Sequence, residues 1–399
     1  MCVHFFAKER LEEIEEVIMT TLFFELIQVA LGNRICLSRI PSKQEWGTLY
    51  MMAKNQAVLG VCFIALQSLA KHHQLENLSV KLRSQWLGAV AMIQAKNELM
   101  NVRCLELQDR LTNDGFRTCI LKGQGVAALY FSPLGQYRQP GDIDVYVDCD
   151  RKDVLVYLRR IGLVYNSWDY IHTQPNFFSD ADVELHYRPS VVRNLMKNRK
   201  LQRFFKENKD EFFIGKETMV NDKVITVPSN WMNIFYVLHH TNRHMFSDGI
   251  GMRQVMDCYM LISNISLSSR EIQMVSSAIK MFGMERFVSG LIWVMQEVFD
   301  SEGRASVGLD NFKMFQEHFP PEEKDGHFIL GDIMHRGNFG QMDERYGNTH
   351  SNKLKKVIGA FRRSLHLLSH YPSDALWTPV YYIWHFCWKK IVGLHYLPT

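Results

Sequence analysis

The sequence lacks paired cysteine motifs and long apolar segments, and these absences exclude several classes of protein. Its eight cysteines are scattered through 399 residues, with no Cys-x-x-Cys pair. This spacing argues against a zinc-ribbon or disulfide framework and favours free thiols in a reducing compartment. The longest uninterrupted apolar run, from Ala57 to Leu66, is far shorter than the ~20 residues that a membrane-spanning helix needs.

The sequence also has little excess of charge and no visible secretory signal. Lys and Arg outnumber Asp and Glu by 46 to 42, which gives a formal net charge of +4. So small an excess does not favour nucleic acid as a partner, although it does not exclude it. The N-terminal residues turn acidic at Glu12 and Glu13, before an apolar signal core could form. We therefore expect a cytoplasmic protein, and the sequence does not predict its oligomeric state.

Hydrophobic periodicity predicts an N-terminal helical region over residues 1–115. Ser42 and Glu45 have the spacing of a capping box, in which each side chain accepts a hydrogen bond from the other residue's amide. We expect one long helix from this box to about Lys71. A further helix is predicted from Ser79 to about Leu111, and we expect the region to pack on a sheet.

Residues 116–228 alternate short apolar runs with turns and one amphipathic helix, which predicts an α+β core. The predicted strands are Phe116–Leu121, Ile143–Val147, Tyr165–Thr173 and Asp182–Tyr187, followed by a hairpin near Phe212–Val227. Residues 229–399 are expected to be a mainly helical C-terminal region, with a loop-rich segment near 301–350.

Acidic residues recur at a spacing of two in the predicted strands. Asp142 and Asp144 lie within Gly141-Asp142-Ile143-Asp144, and Glu184 lies two residues before His186. Because strand side chains alternate, Asp142 and Asp144 share one face, as do Glu184 and His186. Neighbouring carboxylates repel one another unless a cation lies between them. The pattern therefore predicts a site for Mg²⁺ or Mn²⁺, and the alternative is a solvated strand edge with incidental acids.

This arrangement resembles the nucleotidyltransferase superfamily of DNA polymerase β. Members of that superfamily have a glycine turn after a first strand, Asp-x-Asp on a second strand and a third acid on a later strand. A closer resemblance is to bacterial uncharacterised nucleotidyltransferase-like proteins, which carry Leu-Lys-Gly, an arginine, Gly-Asp-Ile-Asp and a Glu-Leu-His strand. The matching residues here are Leu121–Gly123, Arg138, Gly141–Asp144 and Glu184–His186.

The resemblance implies a polymerase β-type core flanked by helical regions, with a two-metal, ATP- or other NTP-dependent transfer reaction. Asp142, Asp144 and Glu184 are the implied metal ligands and catalytic residues. An NMP group would pass from an NTP to an unknown acceptor, with release of pyrophosphate. Loss of catalysis, leaving a nucleotide-binding or scaffold protein, is the main alternative, but it usually accompanies loss of an acid.

Lys122, Gly123 and Arg138 are the predicted nucleotide-binding residues. Glycine permits close approach of the backbone to phosphate, and lysine adds a positive charge. Superfamily members more often carry serine beside this glycine, so the phosphate position is not fixed by the resemblance. Lys122 could instead be a surface lysine, and Arg138 could brace Asp142 or the sheet. His186 could support Glu184, position substrate or be structural.

The C-terminal region suggests a second kind of function. A basic segment is followed by an aromatic one, and the two include Lys353, Lys355, Lys356, Arg362, Arg363, Tyr381, Tyr382, Trp384, Phe386 and Trp388. Such a combination could bind an anionic membrane surface, for example in polysaccharide assembly. The alternative is a solvated helix followed by an aromatic core segment.

Overall fold

A computed structural model describes residues 2–218, 223–299, 309–340 and 353–394. Over these residues the protein is α+β, with a small mixed sheet between helical segments of the chain. The predicted α+β class is therefore confirmed. The proposed division at residues 115 and 228 stays a prediction.

The N-terminal region is helical, as the periodicity predicts. Its helices are α1 (Cys2–Leu31), α2 (Lys43–Asn55), α3 (Leu59–Lys71) and α4 (Val80–Asn113). The Ser42 hydroxyl accepts from the Glu45 amide, and the Glu45 carboxylate accepts from the Ser42 amide at 2.7 Å. This reciprocal pair satisfies two amides that the first turn of α2 leaves without helical partners.

The single long helix predicted from Ser42 to Lys71 is wrong, because the chain bends between α2 and α3. Ala57 has a positive φ of 56°, which interrupts the helix. The buried Gln56 side chain then accepts from the Met252 amide at 2.9 Å and donates to the Ile333 carbonyl at 2.8 Å. These contacts lie about 200 and 280 residues away in sequence, so local periodicity does not reveal them.

The five-stranded sheet has the order β1-β2-β5-β4-β3. Its strands are β1 (Thr118–Ile120), β2 (Ile143–Val147), β3 (Tyr165–Trp168), β4 (His172–Pro175) and β5 (Val183–His186). The β2 and β5 strands are parallel, and the other neighbours are antiparallel. Between the strands lie the short α5 (Gln124–Ala127) and the amphipathic α6 (Arg151–Arg160).

The prediction of one strand over Tyr165–Thr173 is also wrong, because this segment turns back on itself. β3 and β4 form an antiparallel pair, and the Asp169 carboxylate accepts from the amides of Ile171 and His172 at 2.7 and 2.9 Å. This side chain replaces backbone partners within the turn. The consequence is an extra strand, β4, that lies directly beside β5.

The rest of the chain is mainly helical. It contains α7 (Leu195–Glu207), the hairpin of β6 (Gly215–Thr218) and β7 (Val224–Val227), α8 (Asn230–Phe246), α9 (Met252–Asn264), α10 (Ser269–Phe282), α11 (Glu285–Phe299), α12 (Leu309–His318), α13 (Glu323–Arg336), α14 (Lys353–Leu367) and α15 (Pro372–Leu394). The predicted hairpin is confirmed. Part of the segment predicted as loop-rich forms α12 and α13, whereas 301–308 and 341–350 lie outside the described residues.

The C-terminal helix α15 packs its aromatic side chains on the outer part of the sheet. The Trp388 ring lies 5.9 Å from that of Trp168 in β3, and the Trp384 ring lies 5.2 Å from that of Tyr170. Arg363 of α14 is buried in an ion pair with Asp332, so it does not belong to a solvated basic face. No helix within the described part of the chain is long and apolar enough to cross a bilayer.

Candidate functional site

Three acidic side chains meet where β2 and β5 run side by side. Asp144 pairs with Glu184 across these parallel strands, so both side chains emerge on the same face of the sheet. Asp142, just before β2, emerges there as well. Oxygen atoms of the three carboxylates lie within 4.8 Å of one another. Strand alternation and the pairing of β2 with β5 therefore bring Asp142, Asp144 and Glu184 together. Their roles as metal ligands and catalytic residues stay predictions.

Asp144 is the most buried of the three acids and has two cationic neighbours. Its side chain is 1% exposed, and its Oδ1 lies 3.0 Å from Lys122 Nζ and 3.0 Å from His186 Nε2. Burial and the charges of Asp142 and Glu184 raise the pKa of Asp144, against the opposing effects of Lys122 and His186. A buried carboxylate of this kind strongly favours a positive partner.

Nitrogen atoms of three side chains lie close to Glu184 on the same face. Its Oε2 is 3.3 Å from His186 Nε2 and 3.3 Å from His172 Nδ1. Its Oε1 accepts from the Gln174 side chain at 3.3 Å. Burial alone would raise the pKa of Glu184, but the hydrogen bond with His186 and the charge of Lys122 hold it well below its usual range. Glu184 is therefore an anion at neutral pH.

Lys122 and Gly123 form the turn after β1, in backbone conformations that restrict the sequence. Lys122 has φ 24° and Gly123 has φ 55° with ψ −117°, a combination that side chains beyond glycine rarely adopt. The Leu121 amide donates to the Asp144 carbonyl at 2.9 Å. This bond ties the start of the turn to β2. Burial alone would lower the pKa of Lys122, but Asp144, Asp142 and Glu184 raise it, so the ammonium group stays charged beside the acids.

Arg138 lies in the loop before β2, but its guanidinium does not reach toward the acids. It is buried and donates to both oxygens of Asp257 in α9, at 2.7 and 2.8 Å. The Tyr130 hydroxyl donates to the same carboxylate at 2.7 Å, and the Asn97 side chain donates to the Arg138 carbonyl at 2.8 Å. Asp257 is thus paired with Arg138 and not with Arg253, which lies four residues before it in α9. Arg138 holds the loop that carries Asp142 against α4 and α9.

Arg253 in α9 lies beside the loop that carries Asp142. Its Nη1 donates to the Gln139 carbonyl at 3.2 Å and lies beside Gly141. Its buried Nε has no hydrogen-bond partner among the described residues. Burial and the neighbouring Arg138 lower the pKa of Arg253 to about 10. Arg253 therefore retains a donor near Asp142.

His186 and His172 complete the polar cluster, although only His186 is recognised from the sequence. Burial alone would lower the pKa of His186, but hydrogen bonds with Asp144 and Glu184 raise it to about 9. His172 in β4 pairs with His186 in β5, and burial with the charge of His186 lowers its pKa. The signal that could have located His172 is Asp169, a turn former that separates β3 from β4.

A cavity of about 620 Å³ opens beside Asp142 and Glu184. Polar side chains in its wall include Gln174, Asn176 and Asp182. This volume lies within the range of small-molecule sites in proteins. Asp142 and Glu184 therefore face a space in which a small ligand can bind.

Comparison with known proteins is consistent with this arrangement. A family model described as uncharacterised nucleotidyltransferase matches residues 42–300. The matched span exceeds half of the chain and contains the three acids, both histidines and the Lys122–Gly123 turn. No curated protein matches the chain.

Proposed function

The chain belongs to the uncharacterised nucleotidyltransferase family, and from this premise we propose that it transfers an NMP group from an NTP to an acceptor. The acceptor oxygen would form a bond to the α-phosphorus, and the bond to the pyrophosphate leaving group would break. The observation that carries this proposal is the convergence of Asp142, Asp144 and Glu184 beside a cavity.

The three acids fit a hard divalent cation. All of their ligand atoms are carboxylate oxygens, the donor type that Mg²⁺ and Mn²⁺ prefer. Buried Asp144 favours positively charged neighbours, and Lys122 Nζ and His186 Nε2 each lie 3.0 Å from its Oδ1. Asp142, Asp144 and Glu184 would hold the ion or ion pair. When bound, such ions would neutralise phosphate charge and favour ionisation of the acceptor hydroxyl.

The sheet supports assignment of a polymerase β-type core. A turn and a short helix follow β1, the paired aspartates are at the start of β2, and the third acid is in the parallel strand β5. This order of elements matches the order that the sequence resemblance implies. The core residues 116–228 would then be held between the two helical regions.

We propose that the nucleotide phosphates bind at the Lys122–Gly123 turn, where backbone amides and an ammonium group are available. Lys122 would exchange its contact with Asp144 for phosphate when metal neutralises that acid. The predicted phosphate contact of Arg138 would require its buried pair with Asp257 to open. Arg253 is the better second candidate, because its Nη1 lies beside Gly141 in the acidic loop.

The acceptor is proposed to be a small molecule or an exposed group on a larger one. The cavity of about 620 Å³ beside Asp142 and Glu184 can receive such a group. The net charge of +4 gives little support to a long nucleic acid, whose binding depends mainly on phosphate neutralisation. The identity of the NTP and a cytoplasmic location stay predictions.

The experiment that tests nucleotidyl transfer uses each α-labelled NTP with Mg²⁺ or Mn²⁺, with cell-extract metabolites as acceptors. We expect pyrophosphate release that depends on metal and a label that moves to an acceptor. Asp142→Asn is the matched inactive control, because this side chain is the most exposed of the three acids. Failure of every NTP in the presence of extract, with the protein folded, would instead support the non-catalytic nucleotide-binding alternative.

A second candidate function rests on apolar side chains that α15 leaves exposed. Leu376, Ile383 and Phe386 are each more than 60% exposed, and Lys389 and Lys390 follow in the same helix. We propose an anionic membrane surface as the partner of this face. The side chains of Lys353, Lys355 and Lys356, which the sequence suggests for the same role, lie outside the described structure.

Co-sedimentation with vesicles that contain phosphatidylserine tests this surface. Deletion of the C-terminal helices would also remove the buried Arg363 and the contacts of Trp384 and Trp388. The point variant Phe386→Glu avoids this problem, and Val102→Glu in an exposed position of α4 is a control. Binding that Phe386→Glu alone abolishes supports the membrane function, whereas no binding by the wild type rejects it.

A further inference from the structure

A second group of metal-ligand atoms lies beside the three acids and contains two imidazoles. His172 in β4 pairs with His186 in the antiparallel neighbour β5, and Glu184 precedes His186 by two residues on the same strand face. Ligand atoms of His172, Glu184 and His186 lie within 4.8 Å of one another. The pairing of β4 with β5 therefore builds a group of two nitrogen donors and one oxygen donor.

The distances in this group match the spacing of ligand atoms around one ion. Glu184 Oε2 lies 3.3 Å from His172 Nδ1 and 3.3 Å from His186 Nε2. An N–H···O hydrogen bond is ordinarily about 2.9 Å long. Two ligand atoms that are each about 2.0–2.1 Å from a tetrahedral ion are separated by about 3.3 Å. Glu184 Oε2 thus has the tetrahedral separation from both imidazoles.

An oxygen acceptor lies on the far side of each imidazole. His186 Nδ1 lies 3.3 Å from the Arg188 carbonyl, which can only accept its proton. His186 Nε2 lies 3.0 Å from Asp144 Oδ1 and 3.3 Å from Glu184 Oε2, and it would give up its own proton to bind a metal. His172 Nε2 lies 3.8 Å from Asp169 Oδ2, and Asp169 is itself fixed by two backbone amides. Metal-bound histidines commonly have such carbonyl or carboxylate partners.

A second observation concerns the environment of His172 Nδ1. This atom is buried and makes no hydrogen bond with any described residue. A buried polar nitrogen without a partner is unfavourable. The atom faces Glu184 Oε2, so an ion between the two would satisfy it.

We propose that His172, Glu184 and His186 form a binding site for a divalent transition metal that favours tetrahedral coordination, such as Zn²⁺. Imidazole nitrogens favour Zn²⁺ and Co²⁺ over Mg²⁺, whereas three carboxylates favour Mg²⁺ or Mn²⁺. Three protein ligands leave a fourth position for water or substrate. The site shares Glu184 with the three acids but does not depend on nucleotidyl transfer.

Metal titrations without nucleotide test the site and keep it separate from the proposed transfer reaction. Co²⁺ reports tetrahedral nitrogen coordination through its visible absorption, and calorimetry measures Zn²⁺ affinity. We expect wild-type protein to develop the Co²⁺ band and to bind Zn²⁺ with one ion per chain. His172→Gln should lose the band and weaken Zn²⁺ binding at least about ten-fold, since even outer partners of metal ligands contribute that much.

Asp142→Asn is the matched control, because Asp142 belongs only to the group of three acids. It should keep the Co²⁺ band while losing Mg²⁺ binding, and His172→Gln should do the reverse. Absence of the band in wild type, or equal loss in both variants, would overturn the proposal.

Asp169→Asn provides a second test in case His172→Gln does not fold. Its amide oxygen can still accept the two hydrogen bonds of the turn, while the negative charge behind His172 is removed. We expect roughly ten-fold weaker Zn²⁺ binding. Unchanged Zn²⁺ affinity in a folded Asp169→Asn protein, together with an unchanged Co²⁺ band, would contradict the site.

Discussion

Lys122 Nζ lies 3.0 Å from Asp144 Oδ1, so the lysine of the glycine turn neutralises the acid that is expected to bind metal. A divalent ion and this ammonium group therefore compete for one carboxylate. We expect nucleotide-free Lys122→Ala to bind Mg²⁺ more tightly than the wild type, because Asp144 has lost its resident cation. Calorimetric titration of Mg²⁺ measures the change, and weaker Mg²⁺ binding by the variant would contradict it.

The effect of Lys122→Ala on nucleotide affinity should depend on the number of phosphates in the nucleotide. If Lys122 contacts the β- or γ-phosphate, NTP affinity should fall by roughly 1.5–3 kcal/mol, on the order of ten- to a hundred-fold. NMP affinity should change little. Lys209→Ala is a suitable control, because Lys209 is a half-buried lysine that pairs with Asp148. Equal losses for NTP and NMP would mean that Lys122 acts through the acids.

The variants Asp144→Asn and Asp142→Asn should differ in their stability without metal, but both should lose the stabilisation that Mg²⁺ provides. Asp144→Asn removes the buried negative charge beside Lys122 and His186, so metal-free stability should fall by roughly 1.5–3 kcal/mol. Asp142→Asn should change it by no more than about 0.5 kcal/mol. Both variants should lose Mg²⁺-dependent stabilisation. Thermal unfolding with and without Mg²⁺ tests this, and retained Mg²⁺ stabilisation in either variant would argue against the acid site.

Arg138→Ala should mainly affect folding. It leaves Asp257 buried without its bidentate partner, and breaking a buried pair in this way costs about 3–5 kcal/mol. The double variant Arg138→Ala with Asp257→Ala should lose less than the sum of the two single variants. Urea unfolding measures all three. A stable Arg138→Ala protein with weak NTP binding would instead support the predicted nucleotide contact.

The buried pair of Asp332 and Arg363 should make stability sensitive to acid. Burial alone would raise the pKa of Asp332, but hydrogen bonds with His366 and Arg363 lower it to about 2. Because the folded pKa lies below the unfolded value of about 3.9, the contribution is full above about pH 5. It should be lost as the pH falls toward 2, by about 2 kcal/mol.

Asp332→Asn tests this dependence, since the amide does not titrate. The variant should be less stable than the wild type at pH 7, and the difference should shrink between pH 5 and pH 2. Urea unfolding at a series of pH values gives both curves. Parallel curves over this interval would show that Asp332 does not contribute the acid sensitivity.

The sequence predicts the local features of the candidate site better than the distant ones. Alternation within a strand places Asp142 with Asp144, and Glu184 with His186, because the period of two is a property of the backbone. The β2 strand has the predicted bounds, Ile143–Val147. The capping box at Ser42 is also correct, since its hydrogen bonds span three residues.

Features that depend on distant partners were predicted poorly or not at all. The Arg138 side chain reaches Asp257, which lies 119 residues away in the sequence. No local pattern indicates that Asp257 pairs with Arg138 and not with Arg253, which lies in the same helix as Asp257. The break at Ala57 depends on the contacts of Gln56 with α9 and α13. His172 was missed for a different reason, because the turn at Asp169 contains neither glycine nor proline.

The packing of Trp388 on Trp168 has a consequence for biosynthesis and storage of the protein. β3 is an edge strand, and edge strands present unpaired backbone groups that promote aggregation. The side chains that pack beside β3 come from α15, more than 200 residues later. A nascent or truncated chain without α15 therefore leaves this edge open to other chains. We expect chains that lack residues 372–394 to self-associate more readily than the whole chain.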